Sequence, residues 1–298
     1  MKVFVTGASG FVGSAVVPEL LKSGHKVLGL ARSDDAERKI KALGPNVEVV
    51  RGGLLDVDVL AKAASEADGV VHLGFIHDFS KYQESCLIDR AAVVAMLDAL
   101  KGTDKPFVNT AGSLMFAPGV LGTETTAKQT SGFAKLRSDT EDIVSSYKEK
   151  GVRACTVRLP PTVHGKNDPN FISFFINVAK KSGKSAYIGD GQNVWPAVAR
   201  LDAARLFRFV LEKGRAGAAY HAIAQQGIKT KEIAGVIGQL VGVPVVSVEM
   251  PEAAAHFGVL TGVFSADGPA SSKITREELG WEPKEPELLD DILVNYAI

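Results

Sequence analysis

Three glycines spaced by two residues, Gly7, Gly10 and Gly13, close the stretch Val3-Phe4-Val5-Thr6-Gly7-Ala8-Ser9-Gly10-Phe11-Val12-Gly13. Glycines in this spacing suit one chemistry, the cradling of a pyrophosphate by backbone amides. Gly7 permits a tight turn, Gly10 lets backbone approach the phosphates, and Gly13 lets helix and strand pack closely. The β-branched run before the turn predicts a buried strand. After it, Val12, Val16, Val17, Leu20 and Leu21 recur at helical spacing. The free N–H groups and positive dipole end of that helix would face the phosphates. Pro18 falls inside the helix and removes one of its hydrogen bonds, which reads as a tolerated kink.

The end of the second strand, Lys26 to Ala31, selects the cofactor. An acidic residue there would take the ribose hydroxyls of NAD. The chain instead has Ala31, then Arg32 and Ser33. Arginine is a fork-shaped donor suited to a 2′-phosphate, so the reading is NADP. NAD is the alternative, with Arg32 a solvated loop residue and Asp34 or Asp35 turned in to the ribose.

The elements that must position these groups alternate along the chain. Short helices are expected over 36–43 and from Asp56 through Ala67, with strands at 47–50, 69–73, 107–110 and 152–158. A longer apolar helix at 87–100 holds Asp89 and Arg90, and another helix spans 133–148. Alternation of this kind predicts an α/β fold, a Rossmann-type doubly wound parallel sheet, with ligand beyond the carboxyl ends of its strands. Asp56, Gly74, Phe75, His77 and Asp78 then fall on the ligand side. Beyond about residue 166 the pattern changes. A helix at 171–181, a turn-rich aromatic loop at 189–196, a helix at 202–213, strands at 220–224 and 243–248 around a helix at 231–241, and a last helix near 288–296 read as a smaller α/β lobe. The division is 1–165 for the nucleotide-binding domain and 166–298 for the substrate lobe, the two being open to interleaving.

Composition bounds the rest. Lysine plus arginine equals aspartate plus glutamate at 34 each in 298 residues, so no net charge draws the chain to nucleic acid or an anionic membrane. No apolar run reaches membrane-spanning length, and one lysine before the first strand makes no secretory signal. Cys86 and Cys155 lie in apolar stretches and suggest no disulfide framework, and no histidine or carboxylate set has metal-ligand spacing. A soluble cytoplasmic protein is expected, acting on a small molecule.

With these residues in hand, the chain resembles the extended short-chain dehydrogenases/reductases of the NAD(P)-dependent epimerase/dehydratase family, over essentially its whole length. Thr6-Gly7-x-x-Gly10-x-x-Gly13 is similar to the family's cofactor turn. Val71-His72-Leu73-Gly74 resembles the strand end beside the adenosine ribose, and Arg158 to Gly165 the loop near the nicotinamide. Gly189 to Trp195 and Leu201 to Ala204 resemble parts of the C-terminal lobe. The expected cofactor set is Gly7, Ser9, Gly10, Phe11, Val12, Arg32, Ser33, Gly53, Leu54, Leu73, Gly74, Phe75, Arg137, Pro160 and Val163.

The catalytic set departs from the family pattern of a serine or threonine after the fifth strand followed by Tyr-x-x-x-Lys. Phe133 falls in the tyrosine place and Arg137 in the lysine place. A register with Lys135 as the lysine puts Ser131 in the tyrosine place. The serine falls at Gly112 or Ser113, and Asp89 replaces the usual asparagine. The resemblance therefore implies an oxidoreductase that reduces a small aldehyde or ketone with a non-standard proton donor. Ser113, Arg137 and His164 are the candidate catalytic residues. His77 and Asp78, in a loop on the nicotinamide side, read first as a solvated loop, Tyr82 as packing, Trp195 and Tyr187 equally as pocket or packing, and His25 and His72 as scaffold. A non-catalytic NADP-binding sensor and a sugar-type epimerase or dehydratase are the competing functions. The helices at 87–100 and 133–148 make a homodimer possible.

Overall fold

The computed structural model describes residues 1–45, 47–132 and 135–296. The first half alternates as the apolar runs dictate: β1 (Lys2–Thr6), α1 (Gly13–Lys22), β2 (Lys26–Ala31), α2 (Asp34–Lys41), β3 (Val47–Arg51), α3 (Val57–Glu66), β4 (Gly69–His72), α4 (Tyr82–Ala99), β5 (Pro106–Gly112), α5 (Lys135–Ser146) and β6 (Arg153–Leu159). Then follow β7 (Thr162–His164), α6 (Phe171–Ser182), β8 (Ser185–Ile188), β9 (Val194–Ala199), α7 (Arg200–Lys213), β10 (Ala219–His221), β11 (Gln225–Lys229) and α8 (Thr230–Val241). The chain ends with β12 (Val245–Val248), α9 (Met250–Phe257), α10 (Thr261–Phe264), α11 (Lys273–Leu279) and α12 (Leu288–Asn295).

Seven parallel strands form the main sheet in the order β3-β2-β1-β4-β5-β6-β10, the doubly wound arrangement expected from the sequence. Successive side chains of β1 enter opposite cores. Val3 and Val5 pack with α1 and α7, while Phe4 packs with residues of α3, α4 and α5. The chain returns to this sheet after residue 165, because β10 pairs with β6. The apolar residues of α4, among them Val93, Met96 and Leu97, are buried in the second of these cores, whereas Leu87 is half exposed. Cys86 and Cys155 are buried, free thiols. Among the described residues no helix is long and apolar enough to cross a membrane.

Gly7 has a φ of +67°, and a Cβ there would stand 2.7 Å from the carbonyl carbon of Leu73. A Cβ on Gly13 would meet the oxygen of Gly7 at 2.1 Å. The turn and the helix–strand approach thus both need glycine. Pro18 lies on the exposed face of α1 and is accommodated within the helix, which runs unbroken from Gly13 to Lys22.

The second half corrects several sequence expectations. The stretch 189–196 is only partly a loop, since Val194 begins β9, the central strand of the sheet β11-β9-β7. Pro196 within it argued against a strand. The structure accommodates the proline because the register with β7 begins only at Thr162↔Ala197, one residue beyond it, and the register with β11 shifts between Gln225 and Ile228, so Pro196 stands in neither ladder's register. The Pro196 carbonyl accepts instead from Thr162 Oγ1 at 2.5 Å. Strands β7, β8 and β11 and the helices of 250–264 also lie where no regular element was expected. Helix α4 begins at Tyr82, five residues before the apolar run that announced it.

Trp195 is fully buried among Phe171, Phe175 and Phe264, with Nε1 donating to the Ala266 carbonyl, so it is the core of the second unit and no pocket wall.

Candidate active site

The glycine turn leaves donors open. The Gly10 amide bonds the Gly7 carbonyl at 2.9 Å, but those of Phe11, Val12 and Gly13 meet no acceptor among the described residues. These three N–H groups surround the N-terminus of α1, where an anion is favoured. Ser9, Phe11 and Val12 are half-buried and Gly10 is exposed. Val163 of β7 and Val12 both border the same apolar core, and Pro160 of the loop after β6 is buried. The guanidinium of Arg200 lies 4.8 Å from the centre of the Phe11 ring, and its buried Nε has no partner among the described residues. Open amides and an orphaned cationic donor around one turn fit a diphosphate.

At the end of β2, Arg32 is exposed. Ser33 Oγ accepts from the Ala36 amide at 3.2 Å, so this residue caps α2. Asp34 pairs with Arg51 at 2.9 Å, and Asp35 with Lys39 at 2.7 Å and Arg38 at 3.0 Å. Gly53 donates its amide to Asp56 at 2.7 Å, and Leu54 lies over Gly74.

A buried network starts beneath the turn and ends at Arg137. The Gly74 amide donates to Thr6 Oγ1 at 3.0 Å, and Thr6 Oγ1 meets His72 Nδ1 at 2.8 Å. His72 Nε2 meets Asp89 Oδ1 at 3.2 Å. One neutral tautomer satisfies all of these contacts, with Thr6 donating to Nδ1 and Nε2–H donating to the carboxylate. The Gly74 amide is therefore engaged by the fold, as is that of Leu73, which bonds the Thr6 carbonyl at 3.3 Å. Arg137 Nη1 lies 3.3 Å from the same Asp89 oxygen, and Nη2 donates to the Thr110 carbonyl at 2.6 Å. The guanidinium lies over the Phe75 ring at 4.2 Å. His77 packs edge-on against the same ring at 5.3 Å, and Tyr82 does so at 6.3 Å.

Sequence reasoning read Tyr82 as packing, because its nearness to Arg137 depends on how α4 lies against α5. Its phenol has Cys86, Arg137 and Asp89 as electrostatic neighbours, and burial above all pushes its pKa up, so it keeps its proton. Burial, and then the Arg137 charge, hold the His77 imidazole below its ordinary pKa.

Ser113 follows β5 and is 1% exposed. Its amide donates to the Leu159 carbonyl at 2.8 Å, but Oγ has no partner among the described residues. His164 is placed differently. Its Nδ1 bonds Asp291 of α12 at 2.8 Å, and Asp291 also accepts from Asn295 at 2.5 Å. Burial alone would raise the Asp291 pKa, but these two bonds hold it below the usual range. The His164 ring, 1% exposed, thus braces β7 to α12. Phe133 lies outside the described residues. Lys135 pairs outward with Asp139 at 2.7 Å, leaving Arg137 as the cation that this helix directs at the sheet.

Behind the site, Arg158 makes two bonds to Glu141, at 2.9 and 2.5 Å, and a third to His221 Nε2 at 3.0 Å. His221 Nδ1–H donates to the Ser271 carbonyl at 2.7 Å. This ties α5, β6 and β10 together.

Residues 3–224 match the NAD dependent epimerase/dehydratase family. The uncharacterized protein YLL056C of Saccharomyces cerevisiae is 52% identical over 298 residues, the full length of both chains. The decarboxylating sterol-4-alpha-carboxylate 3-dehydrogenase of Dictyostelium discoideum is 24% identical over 226 residues, 71% of this chain and 68% of that one. The dTDP-glucose 4,6-dehydratase DesIV of Streptomyces venezuelae, solved with NAD bound, shares the fold at a TM-score of 0.78 and 20% identity, covering 99% of this chain and 95% of that one.

Proposed function

The chain belongs to the NAD-dependent epimerase/dehydratase family, and on that premise we propose that it is an oxidoreductase that reduces a small aldehyde or ketone with NADP. The placement of Arg137 carries the reading. Its charge is fixed at the carboxyl end of the sheet by Asp89 and the Thr110 carbonyl, over Phe75. A fixed cation there stabilises negative charge that develops on a substrate oxygen without reorganising.

When bound, the dinucleotide supplies the hydride. The amides of Phe11, Val12 and Gly13, with Arg200, hold its diphosphate. The unpartnered Ser113 hydroxyl donates a hydrogen bond to the substrate oxygen as charge gathers on it. The Tyr82 phenol, which keeps its proton, passes that proton to the oxygen. It is a stronger acid than an alcohol, so transfer runs towards the alkoxide. The Ser33 cap, the engagement of Asp34 and Asp35 with basic residues, and the exposure of Arg32 support NADP, because the two carboxylates that follow Ser33 are held by basic side chains and Arg32 is left free to meet a 2′-phosphate.

The test is NADPH oxidation by the purified chain across a panel of aldehydes and ketones. Turnover is expected, with Arg137→Met and Tyr82→Phe each lowering kcat about 100-fold, the scale of one charge-stabilising or proton-donating group. A chain that binds NADPH and reduces nothing in the panel would refute the reading.

A further inference from the structure

A cleft of about 610 Å³ opens between the loop after β4 and the segment around α9. His77, Asp78 and Ser80 form one wall, and Phe174 with residues 255–260 forms the other. It begins one ring away from the reacting end of the site, because His77 packs on Phe75 and Phe75 carries Arg137. It is wide and open to solvent, so a ligand would lie along it rather than be enclosed.

Its charge is the informative property. Among the described residues, no lysine or arginine lines it. Burial, and then the Arg137 charge, lower the pKa of His77, while burial, and then the Lys184 charge, lower that of His256, so both rings are neutral at pH 7. The Ser80 hydroxyl, bonded to Asp78 at 2.6 Å, helps keep that carboxylate ionised. Lys184 is itself paired with Glu252 at 2.5 Å. The remaining surface is apolar, with Phe174, Phe257 and Leu260 inside and Val259, 84% exposed, at the mouth. A nucleoside diphosphate needs cationic donors that this wall lacks, and Asp78 would repel it.

We infer that the substrate is an uncharged, apolar carbonyl compound, an aliphatic or aromatic aldehyde or ketone, whose tail lies between His77 and residues 255–260, and not a nucleotide-linked sugar. The carbonyl end rests on the reductase reading, whereas the chemistry of the tail is read from the cleft.

Calorimetric titration of the full chain, with NADP in excess, separates the two. The probes are butanamide, hexanamide and octanamide, unreactive stand-ins for the aldehydes, and UDP-glucose. Affinity is expected to rise about fourfold for each methylene that reaches the wall. UDP-glucose should bind at least 30-fold more weakly than octanamide. Val259→Glu, at an exposed position, should weaken octanamide at least tenfold and leave NADPH affinity unchanged. Affinity independent of chain length, UDP-glucose bound as tightly as octanamide, or indifference to Val259→Glu would each overturn the inference. Amides bound in this order without turnover of any aldehyde would uphold the cleft and reject the reductase reading. Turnover of short aldehydes with no dependence on chain length would do the reverse.

Discussion

Arg137 Nη1 and Asp89 Oδ1 stand 3.3 Å apart in the interior, where the resembled family pattern has a lysine and an asparagine. The two departures meet, and the extra negative charge on α4 answers the guanidinium on α5. Asp89 is 1% exposed and also receives His72, so its charge has no water as an alternative partner, whereas the Arg137 side chain is 16% exposed. Removing one partner of such a pair strands the other.

Asp89→Asn and Arg137→Met should each destabilise the chain by roughly 2–4 kcal/mol, and the double variant by less than their sum, with a coupling of roughly 1–3 kcal/mol. Urea unfolding of the four proteins measures the cycle. Additivity to within about 0.5 kcal/mol would mean that the pair is not an energetic unit.

Ser113→Ala should separate stability from activity. Its hydroxyl is buried and unpartnered, so its loss should change unfolding free energy by less than about 1 kcal/mol in either direction. If it bonds the substrate oxygen, kcat should fall about 10- to 100-fold with KM little changed. An unaffected kcat would remove Ser113 from the site.

Arg32→Ala should change cofactor choice. A hydrogen bond to a charged group contributes roughly 1.5–3 kcal/mol, so NADPH affinity should drop about 10- to 100-fold while NADH affinity stays constant. Fluorescence titration with both cofactors decides it. Equal losses for the two would show that Arg32 does not distinguish a 2′-phosphate.

His221 gives the fold an acid limit. Burial, and then the Arg158 charge, push its pKa from 6.5 to about 4. Between these values the unfolded chain binds a proton that the folded chain refuses, so stability falls as pH is lowered, by about 3 kcal/mol across the window. Above pH 6.5 the contribution is constant. His221→Gln should flatten this slope in urea unfolding from pH 7.5 to 4.5, and parallel slopes would assign the acid loss elsewhere.

The parallel sheet was legible because each of its first six strands is a short apolar run closed by glycine, proline or a polar turn. β9 was not, since Gly189, Gly191 and Pro196 are turn signals, and only the pairing with β7 and β11, which starts or shifts around Pro196, shows that the proline is tolerated. The early start of α4 was hidden because Tyr82 to Ser85 are mostly polar and give no apolar stripe. Within the site, Arg137 and Asp89 could be read as departures from a pattern. Their contact could not, since it spans 48 positions of sequence and depends on how two helices pack. The bond that carries His164 into α12 spans 127 positions and left no local trace.

The pairing of β10 with β6 also sets a timetable for synthesis. The outer edge of β6 is complete about 60 residues before the strand that covers it is made. At a translation rate of roughly 5–20 residues per second, that edge waits about 3–12 s with unpaired backbone groups. During this interval a nascent chain offers a strand template to its neighbours on the same messenger, a route to aggregation that the finished molecule no longer presents.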